Sequence, residues 1–549
     1  MERRSFLKVV GLASAAVAAG GMLAGCDAVR HAADGVAVGS AESTAAELSA
    51  KGQPAVKFAT TVDVLVVGSG VAGLSAAMAP AEAGLSVYVA EKQDLLGGDS
   101  YTATGLMHAA DSDVQKRSGV KLDAAAAWKA RKAELSAMGV PDLDFAKTLY
   151  EGASQWVDHV ETTYKSQFAN PSSYEAEGLA GSVVLPKNGL DDMESVMVPI
   201  RDGLAAKGVT FSTGYRAVGF VVDGTGAVRG MRFSTEQGNA TIDIGARCVV
   251  VATGGYVSSQ SMVRTNNPDW YRAGCYVAYS VGEGQQLCAA LGATMGGYTA
   301  GLPLVADLPA ASAWGMFAPT LGVDATGTRF AREDDMNSLA TGCYSGARGL
   351  WWTIYDGALN SCSQSRSVAS ITSKNAKRTV GPCDKVGDLA AAMGVPADAL
   401  AATFERYEEL VDAGKDEDCG RTAHLEKLAA PYYAIKLLPV RYRTRGGVKT
   451  DAQGRVLRTA GAAAVPGVYC CGAAAAGGGE GIASNGAFGL MTGQAVVEYL
   501  NGGANTAGDG ASAGDGAASG ADDAVSGDAA DADAAAPAGD GADNAAATA

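Results

Sequence analysis

Residues 62–92 read VDVLVVGSGVAGLSAAMAPAEAGLSVYVAEK, and no other stretch narrows the possible folds as far. The run Val62–Val67 is short and apolar, the pattern of a parallel strand buried on both faces. Gly68, Gly70 and Gly73 follow as G-x-G-x-x-G, with Ser69 and Ala72 between them, where a strand would turn into a helix. Gly68 allows the tight turn, Gly70 lets the backbone approach a pyrophosphate, and Gly73 lets helix and strand pack closely. A helix N-terminus offers unpaired N–H groups and about half a positive charge to phosphates. A second strand, Ser86–Ala90, ends in Glu91, eighteen residues after Gly73, where a carboxylate can accept from ribose hydroxyls. Strand, turn, helix, strand and acid in one register predict an α/β fold with a dinucleotide at the turn. Pro80 is expected to end or kink the helix, at a cost of up to about 3 kcal/mol at an interior position.

The 549 residues exceed what one compact core usually holds and predict two domains with extra segments. A net charge of −16 argues against nucleic acid, which needs a basic face. Part of that charge lies in residues 501–549, an Ala, Gly and Asp tail with nine aspartates and no Lys, Arg or aromatic residue. It reads as disordered and solvated. The ten cysteines form neither C-x-x-C nor C-x-x-C-H, so no zinc ribbon and no attached c-type haem is indicated. No metal is expected, although an iron–sulfur cluster built from distant cysteines stays open.

The first residues, MERRSFLKVVGLASAAVAAGGMLAGC, read as an address. Arg3-Arg4 before Ser5-Phe6-Leu7-Lys8 resembles the twin-arginine export signal of bacteria. The run Val9–Ala24 is too rich in Gly and Ala for a good membrane span. Leu23-Ala24-Gly25-Cys26 resembles a lipoprotein cleavage box; the alternative is a cleaved signal with an accidental cysteine. Residues 1–25 are thus expected to be a signal, Cys26 a lipid attachment point in the cell envelope, and residues 26–59 a polar, Ala-rich tether. The anchor would hold the protein at the outer face of the cytoplasmic membrane. The twin-arginine route carries folded proteins, which suits a chain that captures a cofactor before export.

The segment LLGGDSYTATGLMHAA (95–110) resembles the stretch that runs under the flavin in the FAD-binding family of flavocytochrome c-type fumarate reductases, succinate dehydrogenase flavoprotein subunits and 3-ketosteroid dehydrogenases. More of that family's pattern follows in order: ARCVVVATGGY (246–256), VGEGQQLCAALGAT (281–294), GTRF (327–330) and VPGVYCCG (465–472). The resemblance covers roughly residues 60–500. It implies a Rossmann-like FAD-binding domain of the glutathione-reductase type at 60–299 and 441–500, with an inserted α+β capping domain at 300–440. Within the cap, DALAATFERYEELVDAG (398–414) has helical spacing and a glycine stop. It further implies FAD held without a covalent bond by Gly68, Ser69, Gly70, Ala72, Gly73, Glu91, Lys92, Gly97, Gly98, Asp99, Thr104, Gly105, Met107, Ala217, Ala252, Thr253, Gly254, Glu283, Gly472, Asn485 and Gly486. No second G-x-G-x-x-G follows a strand; DGTGAVRGM (223–231) has the wrong spacing and reads as a hairpin. With no evident nicotinamide domain and no haem domain, the electron donor is expected in trans, a membrane cytochrome or a quinone-linked protein.

The family's substrate chemistry is incompletely present. Its proton-delivering arginine, eight residues after the Arg of G-x-R-F, corresponds to Asn337, and its G-A-N-R-L-G-G clamp corresponds to GIASNGAFG (481–489), which has no basic residue. Its His-Thr-Met-Gly-Gly corresponds to Arg443-Thr444-Arg445-Gly446-Gly447, within RYRTRGG (441–447). If that stretch is a strand, alternation puts Arg441, Arg443 and Arg445 on one face. Either they face the substrate, or they form a solvated face or pair with acids of the cap. The candidates for chemistry are Arg443, Arg445, Tyr442, Glu333 and Arg329; the last two also fit a purely structural hairpin, and Tyr442 also fits packing. His108 reads as a local hydrogen-bonding residue off the family's flavin-attachment position. The resemblance implies hydride exchange between FAD and a carbonyl-activated C–C double bond, with a substrate other than fumarate, such as a steroid-like enone or an aromatic enoate. The alternative is a flavin-loaded electron carrier or binding protein without substrate chemistry.

Overall fold

A computed structural model describes residues 56–502, except 138, 174–180, 236–239, 269, 272, 278, 299–303, 308–310, 312–313, 317, 346–348, 362–367, 459–462 and 479. The expected signal, Cys26 with most of the tether, and the tail from residue 503 lie outside the described residues. Strand β1 (Thr60–Val67) buries its last four residues completely, as an apolar run covered on both faces should. It turns through Gly68–Gly70 into helix α1 (Val71–Glu82), whose small residues are buried at almost every position. Helix α1 passes through Pro80 and stops at Glu82, so the proline occupies the last turn, where little helix remains to be broken. Strand β2 (Val87–Ala90) returns parallel to β1, with Val64 opposite Val87 and Val67 opposite Ala90.

Two helices come next, α2 (Ala124–Ala137) and α3 (Leu143–Tyr164), the second capped by the Asp142 carboxylate accepting from Phe145 N at 2.8 Å. Strand β3 (Thr210–Ser212) then extends the parallel order beyond β2. Strands β4 (Tyr215–Val222) and β5 (Val228–Thr235) form the expected hairpin, its turn held by the Asp223 carboxylate accepting from Thr225 N and Ala227 N. The long β6 (Thr241–Val251) lies parallel to β1 from Ile244 onward, while its first half pairs with β5. Helix α4 (Glu283–Ala290) follows.

A second, wholly antiparallel sheet is built from β7 (Leu321–Val323), β8 (Trp351–Tyr355), β9 (Thr379–Cys383) and β10 (Tyr432–Leu437), in the order β7-β8-β10-β9. Both its faces are covered. Trp351 and Tyr355 point into one apolar cluster, while Trp352 and Ile354 point into another with Phe404 and Tyr407 of helix α5 (Ala397–Asp412).

The chain leaves this sheet through β11 (Pro439–Arg441), which pairs with residues 304–306 and with Gly274–Cys275. Strands β12 (Arg455–Leu457) and β13 (Ala464–Cys470) then rejoin the first sheet. That sheet has eight strands in the order β12-β13-β6-β1-β2-β3, with β5 beside β6 and β4 on β5. The final helix α6 (Ile482–Leu500) lies on α1 with almost no side chain between them. A Cβ on Gly489 would stand 2.2 Å from the Ala72 carbonyl oxygen, and one on Gly493 2.5 Å from that of Ala76. This contact sets the N-terminal turn of α6 beside the glycine turn.

Candidate active site

A cavity of about 220 Å³ opens at the carboxyl ends of β1, β2 and β6. The glycine turn forms one wall through Gly68, Ser69, Gly70, Val71 and Ala72. Gly68 has φ +104, and a Cβ there would stand 2.4 Å from the Ala252 carbonyl oxygen, so only glycine fits. Gly70 differs: an added Cβ would come no nearer than 3.4 Å to any protein atom. The space in front of Gly70 therefore belongs to the cavity. Helix α1 begins there: its first amide, Val71 N, donates to Ser100 Oγ at 3.0 Å, and the positive end of the helix stands at the cavity wall.

Glu91 holds this wall in place. Its Oε2 accepts from Ser69 N (3.0 Å) and Ser69 Oγ (2.7 Å), and its Oε1 accepts from Gln93 N (2.9 Å). Lys92 donates to Glu283, which also meets Arg216 Nε at 2.6 Å. Asp99 accepts from Ser280 Oγ, and burial raises its carboxyl above the ordinary range. The buried Thr253 Oγ1, on the lining, has no hydrogen-bond partner among the described residues. A helix N-terminus at the wall, an open face at Gly70, the Glu91 carboxylate after β2 and the unsatisfied Thr253 hydroxyl fit a dinucleotide.

Thr104, Gly105, Ala217, Gly98, Ala252, Gly254 and Asn485 also line the cavity. Five residues expected to touch the cofactor do not line it. Gly73 packs α1 on the turn, where a Cβ would be 2.0 Å from Gly68 O, and Gly97 backs onto Tyr101. Met107 is fully buried in the core, Gly472 meets Ala72, and Gly486 accommodates the Trp156 ring.

The arginine row does not continue as a strand. Regular pairing ends at Arg441, because Thr444 Oγ1 accepts from Tyr256 N (3.0 Å) and Gly446, at φ +88, turns the chain against Tyr298. The three guanidiniums therefore part company, and the expected single face is corrected. Arg441 is buried and donates to the Tyr271 carbonyl at 3.2 Å. Arg443 lines the cavity beside Tyr442, its guanidinium carbon 5.2 Å from that ring's centroid. Arg445 turns away from the cavity and pairs with buried Glu480, Nε to Oε1 at 2.6 Å. Glu480 also meets Arg443 at 3.4 Å, while its backbone carbonyl accepts from Arg131 of α2 at 2.8 Å. Arg131 pairs in turn with half-buried Glu134 at 2.6 Å. Burial alone would raise the Glu480 carboxyl; Arg443 and Arg445 hold it below the usual carboxylate range. Burial, with Arg131 next, pushes the His108 imidazole down to about 3, so it is neutral at pH 7.

Arg329 and Glu333 lie away from the cavity, in the cap. Arg329 makes paired contacts to Glu333 (2.8 and 2.7 Å) and to Asp416 (2.9 and 2.7 Å). Buried Arg421 meets Glu333 at 3.4 Å and donates to the carbonyls of Gly315 and Ala318. Their expected role in chemistry gives way to the structural one. Sequence reasoning missed Glu480, Arg131 and Glu134. The signal for Glu480 was a single acid inside the glycine-rich run 477–481; α2 carried none. Among the described residues no group of three or more His, Cys, Asp or Glu is placed to hold a metal ion.

The chain belongs to the FAD binding domain family, whose model matches residues 63–490. It is accordingly an FAD flavoprotein of an oxidoreductase class, and the cradle described above is the part of the chain that fits the cofactor. The NADH:acrylate oxidoreductase of Vibrio harveyi is 26% identical over 80% of this chain and 50% of its own length. The probable fumarate reductase Ifc3 of Shewanella frigidimarina is 26% identical over 80% of this chain and 75% of its own. The chain thus spans half the length of the first relative and three quarters of the second. Among solved structures, the open conformation of a flavocytochrome c3 fumarate reductase superposes with a TM-score of 0.63 at 23% identity, covering 83% of this chain and 81% of that one. That likeness extends the shared fold across both sheets.

Proposed function

We propose that this protein reduces, or in reverse forms, a C–C double bond activated by a carbonyl, and that its substrate is a steroid-like enone or an aromatic enoate rather than fumarate. The observation that carries this reading is the delivery of Arg443 and Tyr442 into the cavity that holds the nucleotide cradle. Relatives that act on acrylate and fumarate support the reaction class. Bound FAD would supply the hydride chemistry. Arg443 would hydrogen-bond the substrate carbonyl and stabilise negative charge as it develops there. Tyr442 or water would provide the proton. Among the described residues the basic residues on the lining are Lys92 and Arg443, and Lys92 is paired with Glu283. A dicarboxylate would therefore leave one charge poorly matched, which costs several kcal/mol.

FAD is non-covalent, since His108, the nearby nucleophile, does not line the cavity. The donor acts in trans, and export by the twin-arginine route with a lipid on Cys26 would place the protein where a membrane cytochrome or quinone-linked protein can reach it. The test is an anoxic screen of unsaturated compounds with reduced viologen and holoenzyme. We expect turnover of a conjugated enone or enoate and none of fumarate. Turnover of fumarate at rates typical of enzymes, or of no alkene, overturns the proposal.

A further inference from the structure

We infer that Asp99 takes part in FAD binding as a neutral acid, so that each FAD taken up brings one proton with it. The inference goes beyond the reaction proposed above and rests only on the statement there that FAD is not covalently attached. It comes from where the chain puts a carboxyl group. Residues 97–100 lie against the glycine turn. A Cβ on Gly98 would stand 3.9 Å from Gly70 Cα, and one on Gly70 would stand 3.4 Å from Ser100 Oγ. That same hydroxyl accepts from Val71 N, the first amide of α1, at 3.0 Å. Asp99 is held between these two contacts and lines the cavity. A pyrophosphate at the N-terminus of α1 would therefore bring its negative charges close to this carboxyl group.

Among the described residues Asp99 forms no ion pair; the donor that reaches it is the neutral Ser280 Oγ. The charged and titratable groups around it are Glu91 and Lys92 after β2, Cys275 in the short strand beside β11, and Tyr276, Tyr279 and Glu283 on the same wall as Ser280. Lys92 is engaged with Glu283 and with the Tyr279 carbonyl. Burial pushes the Cys275 thiol up, so it is neutral at pH 7, and Glu91 adds to the repulsion. Burial already raises the Asp99 carboxyl above the ordinary range. A bound dinucleotide would take water from it and set further negative charge beside it, and both effects favour the protonated form. Protonated, Asp99 becomes a donor and can offer its hydrogen to a phosphate oxygen. The proton comes from solvent, and no electron moves. The Asp99 pKa is then higher in holoenzyme than in flavin-free protein. Affinity for FAD is full below the flavin-free pKa, falls by up to about tenfold per pH unit above it, and levels off above the holoenzyme pKa.

The experiment is release of FAD from full-length holoenzyme on dilution, read at equilibrium as free-flavin fluorescence between pH 5.5 and 8.5. The dissociation constant is expected to rise at least about tenfold across that range. Asp99→Asn, of the same size and without the charge, is expected to vary less than about twofold and to hold FAD more tightly than the native protein at pH 8.5. Melting temperature reports whether the variant has folded; if it has not, Asp99→Ser makes the same loss of charge. A native dissociation constant that does not rise with pH overturns the inference alone, as does a rise that persists in the Asp99 variants. Flavin that stays on acid-precipitated protein overturns the non-covalent reading and the inference with it. None of these readouts needs a substrate, so failure of the proposed reaction leaves them standing.

Discussion

Among the described residues, two buried clusters of arginine and carboxylate differ in whether a member reaches the cavity. In the cap, Arg329 and Arg421 face Glu333 and Asp416, two against two, and backbone carbonyls take up the remaining donors of Arg421. Around the hinge, Arg131 pairs with Glu134, and Arg443 and Arg445 share Glu480. The first cluster is complete and sits away from the cavity. The second has a member on the cavity wall. The same chemistry thus lies within the fold in one place and on a cavity wall in the other, and access to the cavity separates the two better than burial or hydrogen bonding does.

The sharpest way to break this comparison is to remove one arginine from each cluster. Arg329→Met takes the shared guanidinium from two buried carboxylates and should destabilise the protein by about 3–5 kcal/mol, measured by denaturant unfolding. Arg443→Ala should leave stability nearly unchanged and flavin bound, yet lower turnover of an identified substrate by ~10²–10³. Arg441→Ala and Arg445→Ala should reduce turnover less. If Arg329→Met is the milder change for stability, or if all three row variants lose activity equally, the assignment of the two clusters fails.

The glycine turn allows a second contrast. Gly70→Val should fold with a near-native melting temperature and emerge colourless, because its side chain enters only the cofactor's space. Gly68→Val should not fold, since its side chain would meet the Ala252 backbone. A yellow Gly70→Val protein would show that the cradle lies elsewhere.

The smallest expected effect is on acid stability near the hinge cluster. Because His108 is held at about 3 against an ordinary 6.5, the unfolded chain binds more protons between those values. Stability therefore falls on acidification from pH 6.5 downward and is unaffected by this group above it. Burial alone would raise the Glu134 carboxyl, but His108 and Arg131 bring it to about 2, so its contribution is lost only below about pH 4.5. His108→Gln should flatten the fall in melting temperature between pH 7 and 5. Equal slopes for wild type and variant would mean that His108 is not held neutral.

The parts legible in the sequence are those whose causes are local. The strand, glycine turn and helix of residues 60–82 follow from apolar runs and glycine spacing within one window, and so does the Asp223 hairpin. The arginine row misled because period two holds only while strand pairing lasts, and Thr444 ends it through a bond to Tyr256, 188 positions away. Arg445 finds Glu480 35 positions on, and Arg131 meets the same residue across 349. No periodicity encodes such a meeting. Arg329 and Glu333, four apart in a tight hairpin, invited a chemical reading that their paired geometry with Asp416 removes.

The pairing of β13 with β6 bears on how the molecule is made. Val249 meets Val468, and α6 settles on α1 from some four hundred residues downstream. Contacts of such sequence separation form late and slowly, after local ones. A ribosome that has released only the glycine turn and the cap has made neither the Arg443 wall nor the Asn485 end of the cradle. Flavin capture is therefore a step that follows synthesis of nearly the whole chain, and an interrupted translation product would be apo-protein with its parallel sheet still open on the β6 side.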